Sequence, residues 1–143
     1  MCSFSASASL FQQYLIPEVG SRLSIDACAP VILGGYSLAA LFALWAGYTS
    51  DRFDAVAAAS PSVWFPGWLD FIGERTPAAE SIYLSLGLKE EKTRNRVMAT
   101  VGDNIRRQYE LLLSQDISCT TGTPYSFATR SAIRVTGQAS ASM

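Results

Sequence analysis

Residues 31–47, VILGGYSLAALFALWAG, constrain the fold of this chain more than any other stretch. Val31, Ile32 and Leu33 run into Gly34-Gly35, a Tyr36-Ser37-Leu38 corner follows, and no charged residue then appears before Asp51. This order reads as a short buried strand over residues 31–33, a sharp turn, and a buried helix over residues 37–47. A strand and a helix joined by so short a turn approach closely, which requires small residues two before and two after the corner. Gly35 and Ala39 stand there, giving GxSxA where the usual elbow reads GxSxG. A serine at such a corner holds its hydroxyl beyond the sheet, while the backbone N–H groups that follow face a point where negative charge develops. Ser37 is therefore a candidate nucleophile. A buried strand–helix turn that merely contains a serine is the alternative. A transmembrane helix is opposed by a run shorter than about 20 residues, by the internal Gly34-Gly35 and by the lack of a flanking Lys/Arg cluster.

The 143 residues suit one domain with one core, and 49% hydrophobic content is enough to build it. A net charge of −1 gives no electrostatic footprint for nucleic acid or for an anionic membrane surface, so neither is expected as a partner. Lys89, Lys92, Arg94 and Arg96 form a basic run with Glu90 and Glu91 inside it, which reads as a solvated face. Cys2, Cys28 and Cys119 are odd in number and widely spaced, so no disulfide framework is indicated and a reducing compartment fits. The start, MCSFSASASLFQQYL, has no basic residue before its first apolar stretch, and a cytoplasmic protein is expected. The chain contains no histidine. That removes the side chain whose proton exchange lies nearest neutral pH and the commonest metal ligand; with no CxxC pair either, no metal or cofactor is expected.

The first nine residues are small and polar and are expected to be disordered. Leu10, Phe11, Tyr14, Leu15 and Val19 recur at helical spacing and predict a short amphipathic helix ending near Gly20, followed by a connector over residues 21–30. FDAVAAA at residues 53–59 is a second apolar strand, broken by Ser60-Pro61-Ser62. Residues 63–72 carry Trp64, Phe65, Trp68 and Phe71, either a pocket wall or a short helix packed on the core. SIYLSLG at residues 81–87 is a third strand, and a long helix over residues 94–113 follows, with Val97, Met98, Val101, Ile105, Tyr109 and Leu112 on one stripe. The alternation predicts an α/β domain over residues 10–117 with a mostly parallel sheet of three or four strands and flanking helices. Right-handed crossovers then gather Ser37, Ser60 and Glu90 at one sheet edge, where a site would lie, with Tyr36, Ser60 and Trp64 as pocket candidates. Residues 118–143 contain ten Ser or Thr and no acidic residue, follow no period, and read as a poorly ordered tail.

The elbow, the SPS turn and the Gly-Leu-Lys-Glu-Glu segment together resemble the esterases of the α/β-hydrolase superfamily related to siderophore esterases and esterase D. The matching stretches are LIPEV at residues 15–19, GYSLAALFALWA at 35–46, AAASPSVWF at 57–65 and YLSLGLKEEKTRN at 83–95. The resemblance implies a partial α/β-hydrolase fold and hydrolysis of a small-molecule carboxylic ester through an acyl-enzyme. It implies Ser37 as nucleophile, the Leu38 N–H as one oxyanion donor, and an acidic residue that, counted from Gly87, falls on Glu90. A solvent-exposed charge at a helix start is the other reading of Glu90.

Two departures from that family bear on function. Its ending, Gly-x-His-Phe and a helix, is replaced here by Gly122-Thr123-Pro124-Tyr125-Ser126-Phe127. Its strands before the elbow have no counterpart either. A serine hydroxyl without a base is a poor nucleophile, and removing the base from a working triad costs on the order of a millionfold in turnover. Impaired activity is therefore expected, with Lys89 or Glu91 as candidate substitute bases. A non-catalytic remnant acting as an interaction module is the alternative, and a strand at residue 31 with no neighbour on one side would expose an edge suited to self-association.

Overall fold

The structure, a computed structural model, describes residues 2–26, 28–87, 89–115 and 117–122. Four parallel strands, β1 (Ile32–Tyr36), β2 (Ala55–Ala59), β3 (Ser81–Ser85) and β4 (Ser118–Gly122), form one sheet in the order β1-β2-β3-β4. The pairing runs in step across the sheet, Tyr36 opposite Ala59, Ala59 opposite Ser85, and Ser85 opposite Gly122, so the carboxyl ends of all four strands are level. The first three strands and their parallel arrangement agree with the sequence pattern. The fourth falls in the stretch expected to be patternless: Ser-Cys-Thr-Thr-Gly has no apolar alternation, and its register is set by backbone pairing to β3. The remaining residues of the expected tail, 123–143, lie outside the described residues.

Each connection carries helix. The first is α3 (Leu38–Thr49), the second α4 (Trp68–Gly73) and the third α5 (Val101–Ser114). Ahead of the sheet, α1 (Cys2–Leu10) continues through a π turn at Phe11–Leu15 into α2 (Ile16–Leu23). Residues 2–10 are thus helical, contrary to the disorder expected of so small and polar a start. Phe4 supplies the reason, since its ring packs at 5.6 Å from Phe42 and 5.8 Å from Trp45 on α3. The long helix expected from residue 94 begins only at Val101. Before it, Asn95 Oδ1 accepts the Val97 and Met98 N–H groups at 3.0 and 3.3 Å, closing a turn at Met98–Thr100 instead of a helical start.

The three crossover helices share one face of the sheet. Tyr48 of α3 meets Trp68 of α4 edge to face at 6.1 Å, and Trp68 Nε1–H donates to Gln108 Oε1 of α5 at 3.0 Å. Beneath them lie Val56, Ala58, Ile82 and Leu84, all buried, with Leu41, Leu44, Ile72 and Leu112 closing the core from the helices. Because α3 is covered by the sheet on one side and by Phe4 and Phe11 on the other, it is apolar all round, which accounts for its long charge-free run. The alternate residues point the other way: Ile32 is 63% exposed, Tyr36 66% and Tyr83 40%. Among the described residues that opposite face carries no helix, and β1 is an edge strand. No helix of the described residues is long and apolar enough to cross a membrane.

Candidate active site

The corner after β1 has the backbone of a nucleophile elbow. Ser37 has φ 56° and ψ −118°, a conformation sparsely populated by non-glycine residues and costing about 1–3 kcal/mol. The surroundings hold it there. Ser37 N–H donates to the Ala59 carbonyl at 3.0 Å, and its own carbonyl accepts both the first helical bond from Leu41 N–H and a bond from Ser62 N–H, each at 3.1 Å. Gly35 explains the spacing of the motif, because a Cβ there would stand 2.5 Å from the carbonyl carbon and oxygen of Ala39. Leu38 opens α3, and the first N–H groups of a helix have no intrahelical acceptor.

Three serines converge beyond the strand ends. Ser60 and Ser62 are buried, and Ser62 Oγ lies 3.3 Å from Ser37 Oγ, with either hydroxyl able to donate. Ser60 follows β2 with φ 45°. Its N–H donates to the Ser85 carbonyl at 2.7 Å and its hydroxyl to Glu90 Oε1 at 2.5 Å. The same carboxylate oxygen accepts the Gly87 N–H at 3.2 Å, and a Cβ at position 87 would collide with it at 2.6 Å, so glycine there seats the glutamate. Glu90 is accordingly half-buried and tied to the carboxyl end of β3, not the solvated charge of its second reading. It thus bonds Ser60 and Gly87.

A cavity of about 250 Å³ opens among these groups, lined by Ser37, Ser60, Ser62, Trp64, Glu90 and Lys89, with Pro61, Thr93, Met98 and Val101 completing the wall. Of the residues expected around the pocket, Ser60 and Trp64 line it. Tyr36 does not: strand alternation puts it with Ile32 and Gly34 on the helix-free face. Ser62 and Thr93 carry no signal of the pocket in the sequence, where Ser60-Pro61-Ser62 reads as a strand breaker, and Met98, expected on the apolar stripe of a helix over residues 94–113, lines the cavity instead. Glu91 is removed as a substitute base, since its Oε2 accepts from Arg106 Nη2 at 3.2 Å on the α5 side. Lys89 stays at the cavity, exposed at its rim.

Comparison with known proteins gives no match to a family model or to a curated protein sequence. Solved structures do match. Siderophore hydrolase EstB from Aspergillus nidulans superposes with a TM-score of 0.66 at 22% identity over 82% of this chain. Siderophore hydrolase EstA from the same organism gives 0.60 at 21% over the same share. The chain spans about half of each, 49% of their length. At this identity the likeness is one of fold.

Proposed function

We propose that the chain carries the nucleophile half of a carboxylic ester hydrolase of the siderophore-esterase kind, with Ser37 as the attacking group. The observation that carries this is the backbone of Ser37, φ 56° and ψ −118°, between a strand and a helix that Gly35 allows to touch. The similarity to two siderophore hydrolases supports it. In the reaction, Ser37 Oγ bonds to the acyl carbon, the ester C–O bond breaks, and the alcohol departs with a proton delivered through water. Water then cleaves the acyl-serine to release the acid and restore the hydroxyl. The Leu38 N–H faces the developing oxyanion. Glu90, anchored by Ser60 and Gly87, keeps a fixed negative charge at the cavity, the role of the acid in the resembling family. With no histidine in the chain to take the serine proton, both steps are slow. Purified protein is expected to release nitrophenol from a short nitrophenyl ester slowly but above buffer, and Ser37→Ala to return the rate to buffer level. Equal rates for the two proteins would refute the assignment.

The helix-free face supports a second reading, that of an interaction module. Parallel sheets are ordinarily covered on both sides, and here Ile32 and Tyr36 stand exposed beside the free edge of β1. Self-association through this surface is its expected consequence.

A further inference from the structure

The run of residues 89–96 holds four cations and two carboxylates, and from sequence alone the charges look interleaved. The fold separates them. Glu90 turns inward to Ser60 and Gly87, and Glu91 turns across to Arg106 on α5. Lys89, Lys92, Arg94 and Arg96 all remain exposed, and among the described residues none has a carboxylate within 4.0 Å of its side-chain nitrogens. Lys89 lines the cavity that contains Ser37, and Thr93 in the middle of the run lines it too. The cavity wall thus carries the Lys89 ammonium beside the inward-turned Glu90, while Trp64, Pro61, Met98 and Val101 give it apolar surface.

From this separation we propose that Lys89, backed by the exposed cations that follow it at Lys92, Arg94 and Arg96, forms a cationic rim that selects esters bearing a free carboxylate for the Ser37 cavity. The inference rests on the reading of Ser37 as nucleophile. A small carboxylate fits better than a polyanion, because the cavity holds only about 250 Å³ and the chain as a whole carries a net charge of −1. The apolar walls take the carbon chain or ring of the ester, and the rim takes the charge. Exposed cations attract a carboxylate through solvent, so the preference is strong at low salt and fades as salt rises.

The test compares 4-nitrophenyl hemisuccinate with 4-nitrophenyl butyrate, which has a similar chain and no charge. Binding is followed by quenching of tryptophan fluorescence in the Ser37→Ala protein, and hydrolysis in the native one. The hemisuccinate is expected to bind about tenfold tighter at roughly 20 mM salt and within about twofold at roughly 500 mM. Lys89→Met combined with Lys92→Met should reduce the low-salt preference to within about threefold, while Lys89→Arg retains it. Equal binding of the two esters, or a preference untouched by salt and by the double substitution, overturns the rim. Selective binding together with hydrolysis that is the same in native and Ser37→Ala protein overturns the nucleophile reading instead and leaves the rim standing.

Discussion

Ser62 clasps Ser37 twice, through a backbone N–H that donates to the Ser37 carbonyl at 3.1 Å and through a hydroxyl 3.3 Å from Ser37 Oγ. The two residues are joined only through α3 and β2, so the elbow is fixed by the end of the neighbouring strand as well as by its own turn. The backbone bond survives truncation of the side chain. Ser62→Ala should therefore lower unfolding free energy by only about 1 kcal/mol, read from urea titration, and leave the fold intact. A loss above about 3 kcal/mol would mean that the hydroxyl pair, not the backbone, holds the corner.

The two adjacent glycines make opposite predictions. Gly35→Ala places a methyl 2.5 Å from the Ala39 backbone and 2.7 Å from Ala40 N, so strand and helix must part, at a cost of about 1–3 kcal/mol and with loss of Ser37 reactivity. Gly34→Ala meets only Ala57, at 3.6 Å and beyond, on the helix-free face. It should change stability by less than about 0.5 kcal/mol in the same titration.

Between α4 and α5, the buried Trp68 Nε1–H bond to Gln108 Oε1 joins two groups hidden from solvent. Trp68→Phe leaves the Gln108 carbonyl unpaired, and Gln108→Leu leaves the indole N–H unpaired, each costing about 1–3 kcal/mol. Once both polar partners are gone the penalty falls away. The double variant should be less destabilised than the sum of the singles by about 1 kcal/mol or more, and strict additivity in a double-mutant cycle would contradict the bond's importance.

On the helix-free face, Ile32 and Tyr36 have little to lose. Ile32→Lys and Tyr36→Lys should leave the unfolding midpoint nearly unchanged and lower the sedimentation-average mass if the native protein self-associates there. A native protein that is monomeric at all concentrations would remove the interaction-module reading.

The sequence makes the strand–corner–helix unit readable because its demands fall on neighbouring residues: Gly35, Ser37 and Ala39 meet in space as they do in the chain. The apolar strands at β2 and β3 are legible for the same local reason. What lies beyond is decided at a distance. Strand β4 pairs through its backbone with β3, so Ser-Cys-Thr-Thr-Gly carries no apolar signal of it. The helical start depends on Phe4 finding Phe42 and Trp45. In the site, Glu90 could be named by its offset from Gly87, but its partner Ser60 is thirty residues upstream, and nothing in either local sequence announces the bond. In the charge run at residues 89–96 the four cations are exposed, as a solvated face requires, but where Glu90 and Glu91 turn depends on Ser60 and Arg106, which the local sequence does not show. Tyr36 shows the limit of proximity: next to Ser37 in sequence, it faces the other side of the sheet.

The central claim is that the elbow still presents Ser37 as a nucleophile in a chain without histidine, and covalent labelling tests it most directly. An activated nitrophenyl phosphonate reacts by forming an Oγ–P bond with loss of nitrophenolate, and needs no second step. Intact-mass and peptide analysis should find one phosphonyl group per chain, on Ser37, formed faster than on Ser60 or Ser62 and absent from Ser37→Ala. Labelling spread over the surface serines, or none on Ser37 after prolonged exposure, would contradict the account and leave the elbow as architecture alone.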